Sequence, residues 1–184
     1  MLNEDQLNSI ARWAQRGAEV CELSLREVHA EDSGLEIRDI RCVTLADLSE
    51  RVPCFEGECV AGVASRFEGG LCGTVLLAMD PEDALSWVKA KPGSPDLLAS
   101  FVALGASIQT SIVKEIGTGM GLEMRASASE LREDSVPMLL NGTHAPSDTA
   151  VVAIGMLVAA GDHVLPMQIY MMIEPKLLSI ALAA

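Results

Sequence analysis

The feature that most constrains this chain is that its plan is written twice. Leu71–Ala90, LCGTVLLAMDPEDALSWVKA, reads as a buried strand, an acid-Pro helix start and a short helix. The last twenty residues, Leu165–Ala184, LPMQIYMMIEPKLLSIALAA, follow that plan in register. Leu71 falls on Leu165, Asp80 on Glu174 and Pro81 on Pro175. Upstream, Gly34-Leu35-Glu36-Ile37-Arg38 returns as Gly121-Leu122-Glu123-Met124-Arg125. Two related halves about a pseudo-twofold axis are the expected result.

Each half reads as helix, strand, hairpin, helix. In the first, residues 4–28 carry Leu7, Ile10, Ala14, Ala18, Cys21 and Leu25 at steps of three and four, one apolar stripe on a helix. Asn8, Arg12, Gln15, Glu19 and Glu22 fall on the opposite, wet face. Leu35–Thr44 reads as a strand and Ala46–Cys54 as a connector. Glu58–Phe67 and Leu71–Met79 read as a hairpin about Gly69-Gly70. Asp80 suits a helix cap and Pro81 a first helical position, where the missing N–H costs nothing. Residues 91–95, KPGSP, forbid a continuous helix and join the halves.

In the second half, Asp96–Ile116 is the matching helix, with Leu98, Phe101, Gly105, Ile108, Ile112 and Ile116 on its buried stripe. Leu122–Ser129 is the matching strand. Glu130–Pro146 is a polar insertion, and Val136–Leu140 within it reads as a short strand that Pro137 confines to an edge. Thr149–Ala160 and Val164–Ile173 form a hairpin about Gly161-Asp162, and Pro175–Ala184 is the last helix. A helix apolar on one side must bury that side on something. The expectation is an α+β fold: a single domain over 1–184 made of repeats 4–90 and 95–184. One sheet of about six mostly antiparallel strands packs against two long helices. Two side-by-side sheets are the alternative, but strands apolar on both faces favour a shared sheet.

A hydrophobic content of 49% excludes disorder, and with 3% aromatics the core must be aliphatic with Met as filler. A net charge of -13 and so few rings exclude nucleic acid as a partner. No basic and apolar leader opens the chain, and Val151–Ala160 is too short to span a bilayer, so a soluble cytoplasmic protein without membrane insertion is expected. The five cysteines, Cys21, Cys42, Cys54, Cys59 and Cys72, are odd in number and read as reduced, mostly buried thiols. Cys54-x4-Cys59 with His29 lacks the second ligand pair that structural zinc needs; no metal or cofactor is expected. Gly117-Thr118-Gly119-Met120-Gly121 follows a helix, so it reads as a C-terminal turn and not a phosphate cradle. His29, His144 and His163 fall in turn or connector regions and suggest no nucleophile–base pair. Asp47, Glu56 and Glu58 read as a solvated acidic surface.

The repeated plan resembles the CheC/CheX/FliY family of chemotaxis phosphatases. So do the start LNEDQLNSIARWAQRGAEV, the segment VAGVASRFEGGLCGTVLLAMDPEDALSWV and the Gly-Leu turn after each long helix. The FliM middle domain shares that fold. The resemblance covers nearly the whole chain and rests on pattern and repeat. It implies action on phosphorylated CheY-type response regulators through an acidic residue followed three positions later by Asn, on the exposed face of a long helix. The carboxylate would engage the regulator's Lys and the amide would aim a water at the aspartyl phosphate, so catalysis is mostly positioning and electrostatics.

Carried onto this sequence, the acidic position is Arg12 and the Asn position Gln15 in the first half; in the second they are Ala103 and Ala106. Neither half has the pair. Arg12 would repel the Lys, and two alanines can hold no water. Asp5 and Asn8 have the spacing but lie about two turns too early, and read as first-turn residues. Ala99, Ala103, Ala106, Thr110 and Val113 make a small, apolar outward strip on the second long helix, which marks a contact surface unless the insertion folds over it. With Asn8 and Glu19 it forms the expected binding surface. The expected partner is a CheY-type regulator, a CheD-like protein or a second copy of the chain. The alternative is a working phosphatase that uses Gln15, with Glu19 supplying the acid.

Overall fold

A computed structural model describes residues 2–26, 34–48, 59–89, 96–160 and 162–183. The elements run α1 (Glu4–Arg26), β1 (Leu35–Thr44), β2 (Val60–Gly69), β3 (Gly73–Met79) and α2 (Pro81–Lys89), then α3 (Leu97–Gly119), β4 (Met124–Ala126), β5 (Glu130–Asp134), α4 (Val136–Asn141), β6 (Ala150–Ala160), β7 (His163–Ile173) and α5 (Pro175–Ala181). The joint at 91–95 lies outside the described residues, as do His29, Cys54, Glu56, Glu58 and most of the Ala46–Cys54 connector.

Seven strands form one antiparallel sheet in the order β1-β6-β7-β3-β2-β4, with β5 also paired to β2. The shared sheet of an α+β fold is therefore what forms, with one strand more than the pattern suggested. The order reads the same from either edge when β1 exchanges with β4, β2 with β6 and β3 with β7. The long sheet strands are apolar on both faces because both faces are covered. One face carries Val63, Val75, Leu77, Ile154, Met156, Ile169 and Met171 into a core shared with α1, α2 and α3. The other carries Val60, Leu76, Ala78, Val151, Tyr170 and Met172 against Val136 and Leu140 of α4.

The insertion departs from the sequence reading twice. Glu130–Asp134 is a strand, and Val136–Asn141 is a helix where a short edge strand was expected. Ser135 stands at the N-cap in extended backbone, so Pro137 falls in the first helical turn, where its missing N–H has no helical acceptor to lose. The insertion also covers the sheet face remote from α1 and α3, so it does not fold over the α3 strip.

α1 and α3 lie side by side and antiparallel. A Cβ on Gly17 would meet Ile112 Cα at 2.7 Å, and a Cβ on Gly119 would meet the Trp13 ring. Rising along α1 thus means descending α3. Asp96 caps α3, its Oδ1 accepting from Ala99 N at 3.0 Å, and Asp80 Oδ1 accepts from the N–H groups of Glu82 and Asp83 at 2.8 and 3.3 Å at the start of α2. Trp87 of α2 meets Phe101 of α3 edge to face at 6.1 Å. By length and composition α3 could cross a membrane, but here its apolar side lies in the core: Phe101, Leu104, Ile108, Ile112, Val113 and Ile116 are buried.

Candidate functional site

The outward surfaces of α1 and α3 carry most of the residues the sequence singled out. Asn8, Arg12 and Glu19 are exposed on α1; Ala99, Ala103 and Thr110 are exposed on α3, with Ala106 half-buried. Val113 does not belong to this strip. It is fully buried, because α3 packs on α1 as well as on the sheet and its covered arc is wider than one stripe. Leu98 errs the other way: it is 53% exposed at the free first turn and extends the apolar strip instead of the core.

The two family positions are occupied by groups with other engagements. Arg12 Nη2 donates to Ser9 Oγ at 3.1 Å, one turn back on its own helix. Gln15 is half-buried, not wet. Its Oε1 accepts from the backbone N–H of Ile37 at 3.2 Å, and its Nε2 donates to Glu19 Oε1 at 3.4 Å. Glu22 is likewise turned toward the sheet, accepting from Leu35 N at 2.5 Å. On α3, Ala103 and Ala106 offer methyl groups, and Ser107 Oγ donates to Ala103 O at 3.0 Å. The residues of the two centres do not converge. Trp13 sits opposite Gly119, so Arg12 lies near the end of α3 and Ala103 roughly 24 Å back along it, at about 1.5 Å per residue.

One functional-looking group escaped sequence reading. Gln109 is completely buried beneath α3. Its Nε2 donates to Val63 O at 2.6 Å and Val75 O at 3.4 Å, and its Oε1 accepts from Ser65 Oγ at 3.1 Å and Ser129 Oγ at 3.4 Å. The amide fills the interval where the sheet edge breaks between β4 and β5. Its four bonds tie α3 to β2, β3 and Ser129 inside the core, so it acts in the fold. Its signal was a lone amide between Ile108 and Ile112 on the buried stripe.

The thiols divide by environment. Cys21 is buried at the α1–α3 contact, and its pKa is raised to about 11, chiefly by burial, with a hydrogen bond from Ser111 working against that and the charge of Glu22 adding to it. Cys42 is also raised by burial. Cys59 and Cys72 are exposed, against the expectation of mostly buried thiols, because each stands just outside a strand end, before β2 and β3. Among the described residues no three His, Cys, Asp or Glu groups come together where a metal ion could sit. His163 opens β7 in place of the turn expected for it, and is exposed. On the opposite side of the sheet, a groove of about 570 Å³ lies between α4 and the strands, floored by Ala64, Leu76 and Met172 and rimmed by Arg66, Arg132 and His144.

No protein-family model and no curated protein matches the chain. Solved structures do. FliY of Thermotoga maritima superposes with a TM-score of 0.67 at 10% identity, over 98% of this chain and 96% of that one. The FliG–FliM complex from H. pylori gives 0.63 at 11% identity, with 100% of both chains covered. This is the fold of FliY and FliM. CheX, in its complex with CheY, BeF3 and Mg from Borrelia burgdorferi, shares it more distantly: a TM-score of 0.52 at 14% identity over 89% of this chain and 96% of that one. The fold that the repeat and the helix–strand–hairpin–helix plan implied is the fold that forms.

Proposed function

We propose that this chain is a chemotaxis- or flagellar-switch-type docking protein of the CheC/CheX/FliY kind that has lost phosphatase chemistry. It works in the cytoplasm as one domain of two repeats, 4–90 and 95–184. Its partner is a CheY-type response regulator or a CheD-like protein, met through the outward surface of α1 and α3; a second copy of the chain is the remaining candidate.

The observation that carries the reading is the state of the two centres. Aiming a water at a phosphate needs a free carboxylate and a free amide one turn apart on an open helix face. Here Gln15 gives its amide oxygen to Ile37, Arg12 carries the wrong charge, and Ala103 and Ala106 carry nothing polar. What remains on α3 is the exposed strip Leu98, Ala99, Ala103 and Thr110, left open because the insertion lies on the other side of the sheet. Open apolar surface of this kind suits a protein partner. The neighbours FliM and CheX were each solved with another protein, FliG and CheY respectively, which supports docking as the use of this fold.

A second reading keeps the chemistry. Gln15 Nε2 lies 3.4 Å from Glu19 Oε1, so an amide and an acid do stand side by side on α1. One experiment separates the two. The protein is mixed with a phosphorylated CheY-type regulator, and both binding and phosphate release are followed. Docking predicts saturable binding that Ala103→Arg abolishes, with phosphate release at the regulator's own rate. Accelerated release that Gln15→Ala removes would overturn docking in favour of the phosphatase.

A further inference from the structure

Among the described residues β1 is the terminal strand of the sheet, with β6 on one side and no strand on the other. An open edge is a template on which another strand can add. Two side chains of α1 meet this edge. Gln15 Oε1 accepts the Ile37 N–H at 3.2 Å, and Glu22 Oε1 accepts the Leu35 N–H at 2.5 Å. The two acceptors are seven residues apart on α1, about 10.5 Å, and the two donors are two residues apart on β1, about 6.7 Å, a difference the long Gln15 and Glu22 side chains take up. A register shift between Ile37 and Asp39 follows directly and bends the strand where the side chains stop.

Charge alone would not keep a second copy away. From Glu36 onward β1 reads Glu36-Ile37-Arg38-Asp39-Ile40-Arg41. Laid antiparallel on itself about the midpoint of that stretch, Glu36 of one copy faces Arg41 of the other, Arg38 faces Asp39, and Ile37 faces Ile40. Each cross-strand pair is then of opposite charge or apolar, which favours pairing. The edge is self-complementary in charge and needs a physical stop. We infer that Gln15 and Glu22 form a clasp with which α1 closes the β1 edge against strand addition by a second copy of this chain.

This assigns Gln15 a role independent of any partner chemistry. The test is the double variant Gln15→Met/Glu22→Met, which keeps side-chain bulk and removes both acceptors. Amide exchange and light scattering are read together. Exchange at Leu35 and Ile37 should quicken by roughly tenfold, the factor carried by a hydrogen bond of ordinary net worth. Amides of the β6–β7 pairing stay slow and report that the sheet is intact. The double variant should self-associate with concentration beyond the parent. Adding Arg41→Glu, which sets like charges opposite each other, should reverse that, and Glu22→Gln, which keeps an oxygen acceptor, should behave as the parent. If the double variant does not fold, Gln15→Met alone reads the Ile37 amide and the oligomer size. Unchanged exchange at these amides, or faster exchange with no larger species, overturns the inference.

Discussion

Gly17→Ala is the substitution that tests the helix layer most directly. A Cβ at this position would stand 2.7 Å from Ile112 Cα, 3.0 Å from Ile112 N and 3.0 Å from Ser111 O. All three are backbone atoms of α3, so no side chain can swing aside. Carbon atoms prefer about 3.5–4.0 Å, so the helices must part by about 1 Å at their contact. Overpacking of this kind costs about 1–3 kcal/mol, and the unyielding neighbours place this site at the upper end. Alanine recovers up to about 1 kcal/mol in helix propensity over glycine. The net expected loss is about 2 kcal/mol. For a domain of this size each kcal/mol lowers Tm by about 2–4 °C, so a fall of about 4–8 °C follows. Thermal and urea unfolding followed by circular dichroism read it, with the folded spectrum kept. A Tm equal to or above that of the parent would refute the antiparallel contact of α1 and α3 at this residue, and with it the shared outward surface on which the docking proposal depends.

Gln109→Leu should cost about 1–3 kcal/mol, because it strands the Ser65 hydroxyl and the Val63 carbonyl in the core; urea unfolding measures it, and a neutral result would mean that the network is not closed. In the folded protein a thiol reagent near neutral pH should modify Cys59 and Cys72 quickly, while Cys21 reacts only on unfolding, as mass spectrometry of the labelled peptides would show. The raised Cys21 pKa favours the neutral thiol in the folded state. Its contribution is therefore whole below pH 9.0 and fades as pH climbs toward about 11. The loss should reach about 2–3 kcal/mol over that interval and vanish in Cys21→Ala, measured by unfolding at pH 8, 9, 10 and 11.

How much of this was legible depended on whether a residue's partner left a mark in the sequence. β1 was readable to the residue, and α1 and α3 nearly so from the helical period of their apolar stripes, while the β6–β7 hairpin was legible as two continuous apolar runs about a turn. β5 was not, since Glu130, Arg132, Glu133 and Asp134 surround a single apolar Leu131; an edge strand paired on one side needs no alternation. α4 was misread because Pro137 weighs against a helix everywhere except its first turn. Val113 looked outward only on the assumption that α3 had one neighbour. Gln15 looked wet because its partner is a backbone N–H, and no composition or spacing records where a strand edge will pass. Of the four positions carried over from the resemblance, Arg12 and Ala103 lie exposed on their helices, while Gln15 and Ala106 are half-buried.

The strand order has a consequence for how the molecule can be made or cut. β1 comes from the first half, yet among the described residues its one strand neighbour is β6 from the second; β4 comes from the second half, yet it lies against β2 from the first. Each half has handed a strand to the other's hairpin. An amino-terminal fragment would therefore own a strand with nothing to lie beside. During synthesis β1 must wait for residues more than 100 positions downstream, from Thr44 to Ala150, before its ladder can close.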